Sequence, residues 1–132
     1  MPERSSYDYA IIRVVPRVER GERINVGVIL FCRTLGFLGA LIHVDEARLL
    51  ALAPDIDLEM VREQLETFTL VCAGKAETGS IGQMSPSERF HWLVSPRSTI
   101  IQTSPVHCGL SCNPEAALQH LLQTMVAVSE QS

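Results

Sequence analysis

At 132 residues, 46% of them hydrophobic and 20% charged, the chain is long enough for one domain with its own core and too apolar for a disordered segment. Its formal net charge of −4 and its single lysine, Lys75, exclude the clustered positive charge that sequence-independent nucleic-acid binding needs, so nucleic acid is not an expected partner. No apolar run approaches the roughly 20 residues of a membrane helix, and Met1-Pro2-Glu3-Arg4 lacks the apolar stretch of a signal peptide, so a cytoplasmic protein off the membrane is expected.

Tyr7 to Val15 is rich in Tyr, Ile and Val and reads as a strand that Pro16 ends, because proline cannot donate to a ladder. Ile24 to Arg33 is a second strand, joined to the first by the polar connection Arg17-Val18-Glu19-Arg20-Gly21-Glu22-Arg23. Phe37 to Val44 gives a third after a Leu35-Gly36 turn. The first two strands carry apolar residues on both faces, Ile11 and Val15 against Ile12 and Val14, then Val26, Val28 and Leu30 against Ile29 and Phe31. Such strands are covered on both sides, by helices or by a second copy of the chain.

Asp45 to Leu52 is expected to form a short helix stopped by Pro54, and Asp57 to Ala73 a longer one. In the second, Leu58, Val61, Leu65, Phe68 and Cys72 recur at the spacing of one buried stripe, and Gly74 has the place of a C-cap. Gly74 to Gln83, with three glycines, reads as a mobile loop. Ser85-Pro86-Ser87-Glu88 is a capping box that should open a helix over Glu88 to Val94. Thr99 to Ser104 is a fourth strand, and Asn113-Pro114-Glu115 starts a last helix with Leu118, Leu121, Leu122, Met125 and Val126 as its apolar stripe. The whole is one α+β domain over residues 1–132, with helices packed on a mostly antiparallel sheet of four or more strands.

Three segments offer chemistry. Arg13, Arg17, Arg20 and Arg23, with Glu22 and Asn25, put four guanidinium groups within eleven residues across a hairpin, where they can converge on a carboxylate or phosphate. Asn25 beside Gly27 would allow a ligand to approach the backbone. Arg13 shares a face with Ile11 and Val15, so it should be half-buried and needs an acceptor, Glu22 being the nearest acid in sequence. Arg97, Ser98, Gln102 and His107 lie on or beside the fourth strand and would complete a site begun by the arginines, with His107 as proton donor. His107-Cys108, Cys112 and His120 hold soft ligands, but a lone Cys-x3-Cys without a second short-spaced pair is not a zinc pattern. Without a secretory signal the four cysteines are expected to be reduced, with Cys32 and Cys72 as small core residues. No phosphate-loop, dinucleotide-binding, metalloprotease or nucleophile-elbow motif is present, and neither cofactor nor metal is expected.

The strings Tyr9-Ala10-Ile11-Ile12-Arg13-Val14-Val15-Pro16 and Arg20-Gly21-Glu22-Arg23-Ile24-Asn25-Val26-Gly27-Val28-Ile29-Leu30 resemble the N-terminal signature of the uncharacterised bacterial family called domain of unknown function 3037. Trp92 to Thr99, Gln102 to Gly109 and the Asn113-Pro114-Glu115 helix start resemble it as well, whereas Cys108 and Cys112 stand outside its pattern. The resemblance implies a small bacterial protein with no assigned activity. Some relatives are encoded beside HipA-like kinase-domain proteins, which implies an accessory role toward such a partner. The expectation is an interaction protein that binds a protein partner and self-associates, more an adaptor than an enzyme. The alternative is a small-molecule or phosphate-ligand module using Arg13 to Asn25 with Arg97 and His107.

Overall fold

The computed structural model of the chain describes residues 3–16, 21–74, 79–96 and 100–127. Three strands, β1 (Ser5–Val14), β2 (Ile24–Cys32) and β3 (Phe37–Ile42), form an antiparallel meander. Three helices follow, α1 (Glu46–Leu52), α2 (Leu58–Ala73) and α3 (Pro86–Leu93), and then β4 (Ile101–Thr103), β5 (His107–Ser111) and α4 (Pro114–Leu121). The α+β class with an antiparallel sheet is borne out, in the strand order β3-β2-β1-β4 with β5 also on β1.

β5 was not expected, and its composition explains why. His107-Cys108-Gly109-Leu110-Ser111 has no β-branched residue, and it becomes a strand only because β1 offers it a ladder. Tertiary pairing supplies what propensity does not. β4 and β5 run along the same side of β1, opposite Ile12 to Val14 and Ser5 to Tyr9 respectively, as one edge bent at Ser104-Pro105-Val106. Ser104 holds the bend: its amide donates to the Ile11 carbonyl at 2.8 Å, and its buried hydroxyl accepts from the Ile11 amide at 2.9 Å. Proline can stand at such a break because no ladder bond is asked of its nitrogen.

Both faces of the meander are covered. Ala10, Ile12 and Val14 with Ile24, Val26, Ile29 and Phe31 pack beneath α1, α2 and α3, where Leu49, Val61, Leu65, Phe68, Phe90 and Leu93 close the larger core. Ile11, Val28, Leu30 and Cys32 meet Leu118, Leu121 and Val126 from α4 and the turn after it on the other face. Val26 is therefore on the face opposite Val28 and Leu30, contrary to the simple alternation. A bulge is the cause, since Ile12 pairs with Gly27 while Arg13 pairs with Asn25, leaving Val26 as the extra residue.

The caps behave as the sequence indicates. Asp45, Asp57, Ser85 and Asn113 each accept an amide of their helix's first turn, Ser85 and Glu88 close a full capping box, and Gly74 ends α2 in the left-handed region. Within the expected loop Gly74 to Gln83, Ile81–Gln83 forms a 3-10 turn with Gly82 buried, and residues 75–78 lie outside the described residues. The last helix departs from its stripe: from Leu122 to Val126 it widens into a π turn, and Met125 points outward at 42% exposure.

Candidate functional site

Register alone brings three of the candidate residues together. Arg13 in the middle of the sheet faces Asn25 of β2 on one side and Gln102 of β4 on the other. The bulge is what makes this row possible, because it turns Asn25 onto the Arg13 face. Asn25 does not reach for a ligand: its amide donates to the Met125 carbonyl at 3.0 Å and ties the π turn to the sheet. Gly27 is not a ligand approach either. A Cβ there would stand 2.8 Å from the Leu41 carbonyl oxygen and 2.7 Å from Ile42 Cδ1, so the missing side chain serves the close fit of β3 on β2.

Arg13 is half-buried, as its place between Ile11 and Val15 requires. Its Nε is buried without a hydrogen-bond partner, and no ion pair joins it to Glu22. The expected Arg13–Glu22 pair does not form, and the Arg13 Nε is left without an acceptor among the described residues. Burial, and then the neighbouring Arg23 charge, lower the pKa of Arg13 from its ordinary value, both acting against the cation. Arg23 is exposed just before β2, and it also borders a shallow cleft of about 390 Å3 with Arg48 of α1. Arg48 escaped the sequence reading because it stands 25 positions from Arg23 and only the fold joins them. Glu22 is half-buried, and Arg20, Arg97 and Ser98 lie outside the described residues.

His107 stands apart from Arg13. It is exposed on β5 opposite Tyr9, the two rings 5.5 Å apart, and Tyr9 precedes Arg13 by four residues, roughly 13 Å along a strand. It belongs instead to an aromatic strip with Tyr7 and Tyr9 that sequence reasoning passed over. α4 packs on β2 and β3, and both tyrosines are half-buried against the margin of the cluster it closes. The Tyr7 ring lies over Gly109, where a Cβ would come within 2.5 Å of it, and burial raises the Tyr7 pKa with a smaller push from Tyr9. Alternation in Tyr7-x-Tyr9 was the available signal, used for the strand and not for the surface.

Cys108 is on the opposite face of β5 and donates its thiol to Asp8 at 3.4 Å. That bond, with the Asp8 charge, raises its pKa and keeps it protonated, the reverse of what a nucleophilic thiolate requires. Cys32 and Cys72 are free and buried, as expected of core residues, and Cys108 and Cys112 are free and exposed. Among the described residues no three His, Cys, Asp or Glu side chains are grouped to hold a metal ion. No helix is long and apolar enough to cross a membrane among those residues.

No curated protein and no solved structure matches the chain. The sequence pattern of the family described as "Protein of unknown function (DUF3037)" matches residues 9–126, which take in every strand of the sheet in whole or in part and the arginine row. On that match the chain belongs to the DUF3037 family.

Proposed function

We propose that this protein is a non-catalytic interaction module that takes an extended segment of a protein partner along the outer edge of β5. The carrying observation is the edge itself. Among the described residues no strand pairs with the outer side of β5, its five residues carry no Asp, Glu, Lys or Arg, and Val106 just before it and Leu110 within it are 44% and 60% exposed. An edge strand normally carries charge to discourage pairing, and one left uncharged is a template for an incoming strand. The tyrosines and His107 alongside supply the amphipathic rings that interfaces favour. Covering the exposed part of Leu110 would itself contribute on the order of 1 to 2 kcal/mol.

A HipA-like kinase-domain protein is the first partner to test. Co-expression should give a stoichiometric complex in which amide hydrogen exchange slows at residues 106–111, and Leu110→Lys should abolish capture without unfolding the chain. Capture unaffected by Leu110→Lys, or protection elsewhere only, would sink the edge as the docking surface.

Self-association is the second reading, favoured by the length of the edge. β5 is five residues long between Pro105 and Pro114, so full antiparallel overlap of two copies puts Gly109 opposite Gly109, Cys108 opposite Leu110 and His107 opposite Ser111. Each pairing matches in character. A species of twice 14.6 kDa in sedimentation, lost in Leu110→Lys, assigns the edge to a second copy.

A further inference from the structure

We propose that the hairpin end of the sheet is a binding site for a multiply charged oxyanion, a phosphate ester or pyrophosphate, gripped between Arg13 and Arg23. Asn25 faces Arg13 directly across β1 and β2, and Arg23 precedes Asn25 by two residues, so by alternation Arg13 and Arg23 are diagonal neighbours on one face. Such neighbours are about 7 to 8 Å apart at the backbone, within joint reach of two long side chains.

Arg13 cannot shed its proton, its Nε is buried without an acceptor, and no ion pair links either arginine to a described carboxylate. A half-buried charge left in that state is a cost that a bound anion removes. Two guanidinium forks offset along the sheet suit an anion with oxygens on more than one side. A single carboxylate presents one edge, whereas phosphate presents three oxygens and close to two charges. Asn25 contributes by position: its bond to the Met125 carbonyl fixes the π turn beside the row and keeps a neutral amide opposite Arg13. The site lies at the end of β1 away from β5 and does not depend on the edge reading, so either can fail alone.

Calorimetric titration of the full chain with pyrophosphate, inorganic phosphate and succinate at low ionic strength tests the assignment. Pyrophosphate should bind, more weakly as salt is added, and Arg13→Met and Arg23→Met should each lose about tenfold or more in affinity, the scale of one charge-assisted hydrogen-bonded pair. Arg62→Met, whose residue pairs with Glu46 on the helical side, should bind as the parent does. Arg13→Met should melt no lower than the parent, since no described carboxylate is left behind. If it fails to fold, Arg13→Lys keeps the charge, loses the fork and should lose affinity likewise. Parental affinity in the Arg13 variants, succinate binding as tight as pyrophosphate, or no binding of either phosphate overturns the proposal.

Discussion

The thiol of Cys72 sits in the last turn of α2, buried in the larger core, and burial pushes its pKa up to about 12 while the Arg89 charge pulls weakly the other way. In the unfolded chain the same thiol titrates near its ordinary value of 9.0. Between those values the native state keeps a proton that the unfolded state gives up, so stability is held below pH 9 and falls as pH rises toward 12. Over that window the slope is on the order of 1.4 kcal/mol per pH unit. Denaturant melts from pH 8 to 11 should show the decline, and Cys72→Ala, which costs some packing at every pH, should flatten it. Equal slopes in the two proteins would mean that other groups carry the alkaline loss. Arg13 shows the opposite case at the same scale: it cannot leave its charged state, so its burial is relieved from outside and not by titration.

Among the elements, α3 links two helices through one side chain. Arg89 donates from Nη1 to the carbonyls of Val71 and Cys72 at 2.7 and 2.8 Å, and from Nε to the Met84 carbonyl at 3.0 Å. A cation there adds donors to the last carbonyls of α2, of which Val71 already accepts from the Gly74 amide, and opposes the negative end of the helix dipole. Arg89→Met keeps the aliphatic stem and removes all three bonds, and the expected loss is about 1.5 to 3 kcal/mol in a urea melt. A change below about 0.5 kcal/mol would show that water replaces the guanidinium at no cost. This contact also marks the limit of reading elements from sequence. Caps and stripes depend on residues within one or two turns, so Asp57, Gly74 and the Ser85–Glu88 box were legible. Arg89 reaches 18 residues back to Val71, β5 is a strand only beside β1, and the Val26 bulge appears only when two registers are compared. The candidate site follows the same division. The clustering of Arg13, Arg23 and Asn25 in one hairpin could be read locally, whereas their separation from His107 and the approach of Arg48 required the sheet.

Across the whole molecule β1 is the organising strand, flanked by β2 on one side and by β4 and β5 on the other. Its first partner is local, but its second arrives late in sequence: the Ile11 amide and the Ser104 hydroxyl that join the two halves are 93 residues apart. The two sides of β1 also differ in cover. Ile11 to Val14 and Val28 to Leu30 lie between helices, with Ile12, Val14, Val28, Ile29 and Leu30 wholly buried, whereas three of the five residues of β5 are exposed. Local opening costs least where little apolar surface is lost, so β5 should detach from β1 in a sub-global step while the β1–β2 ladder exchanges only on full unfolding. Native-state hydrogen exchange in low denaturant should therefore give His107 and Gly109, opposite Tyr9 and Tyr7, opening free energies at least about 2 kcal/mol below those of Ile12 and Ile29. If these amides all merge into one isotherm, β5 belongs to the global unit and the edge is rigid. The expected gap carries a functional consequence, because an edge that opens independently can adjust its twist to an incoming strand without unfolding the arginine row at the other end of β1.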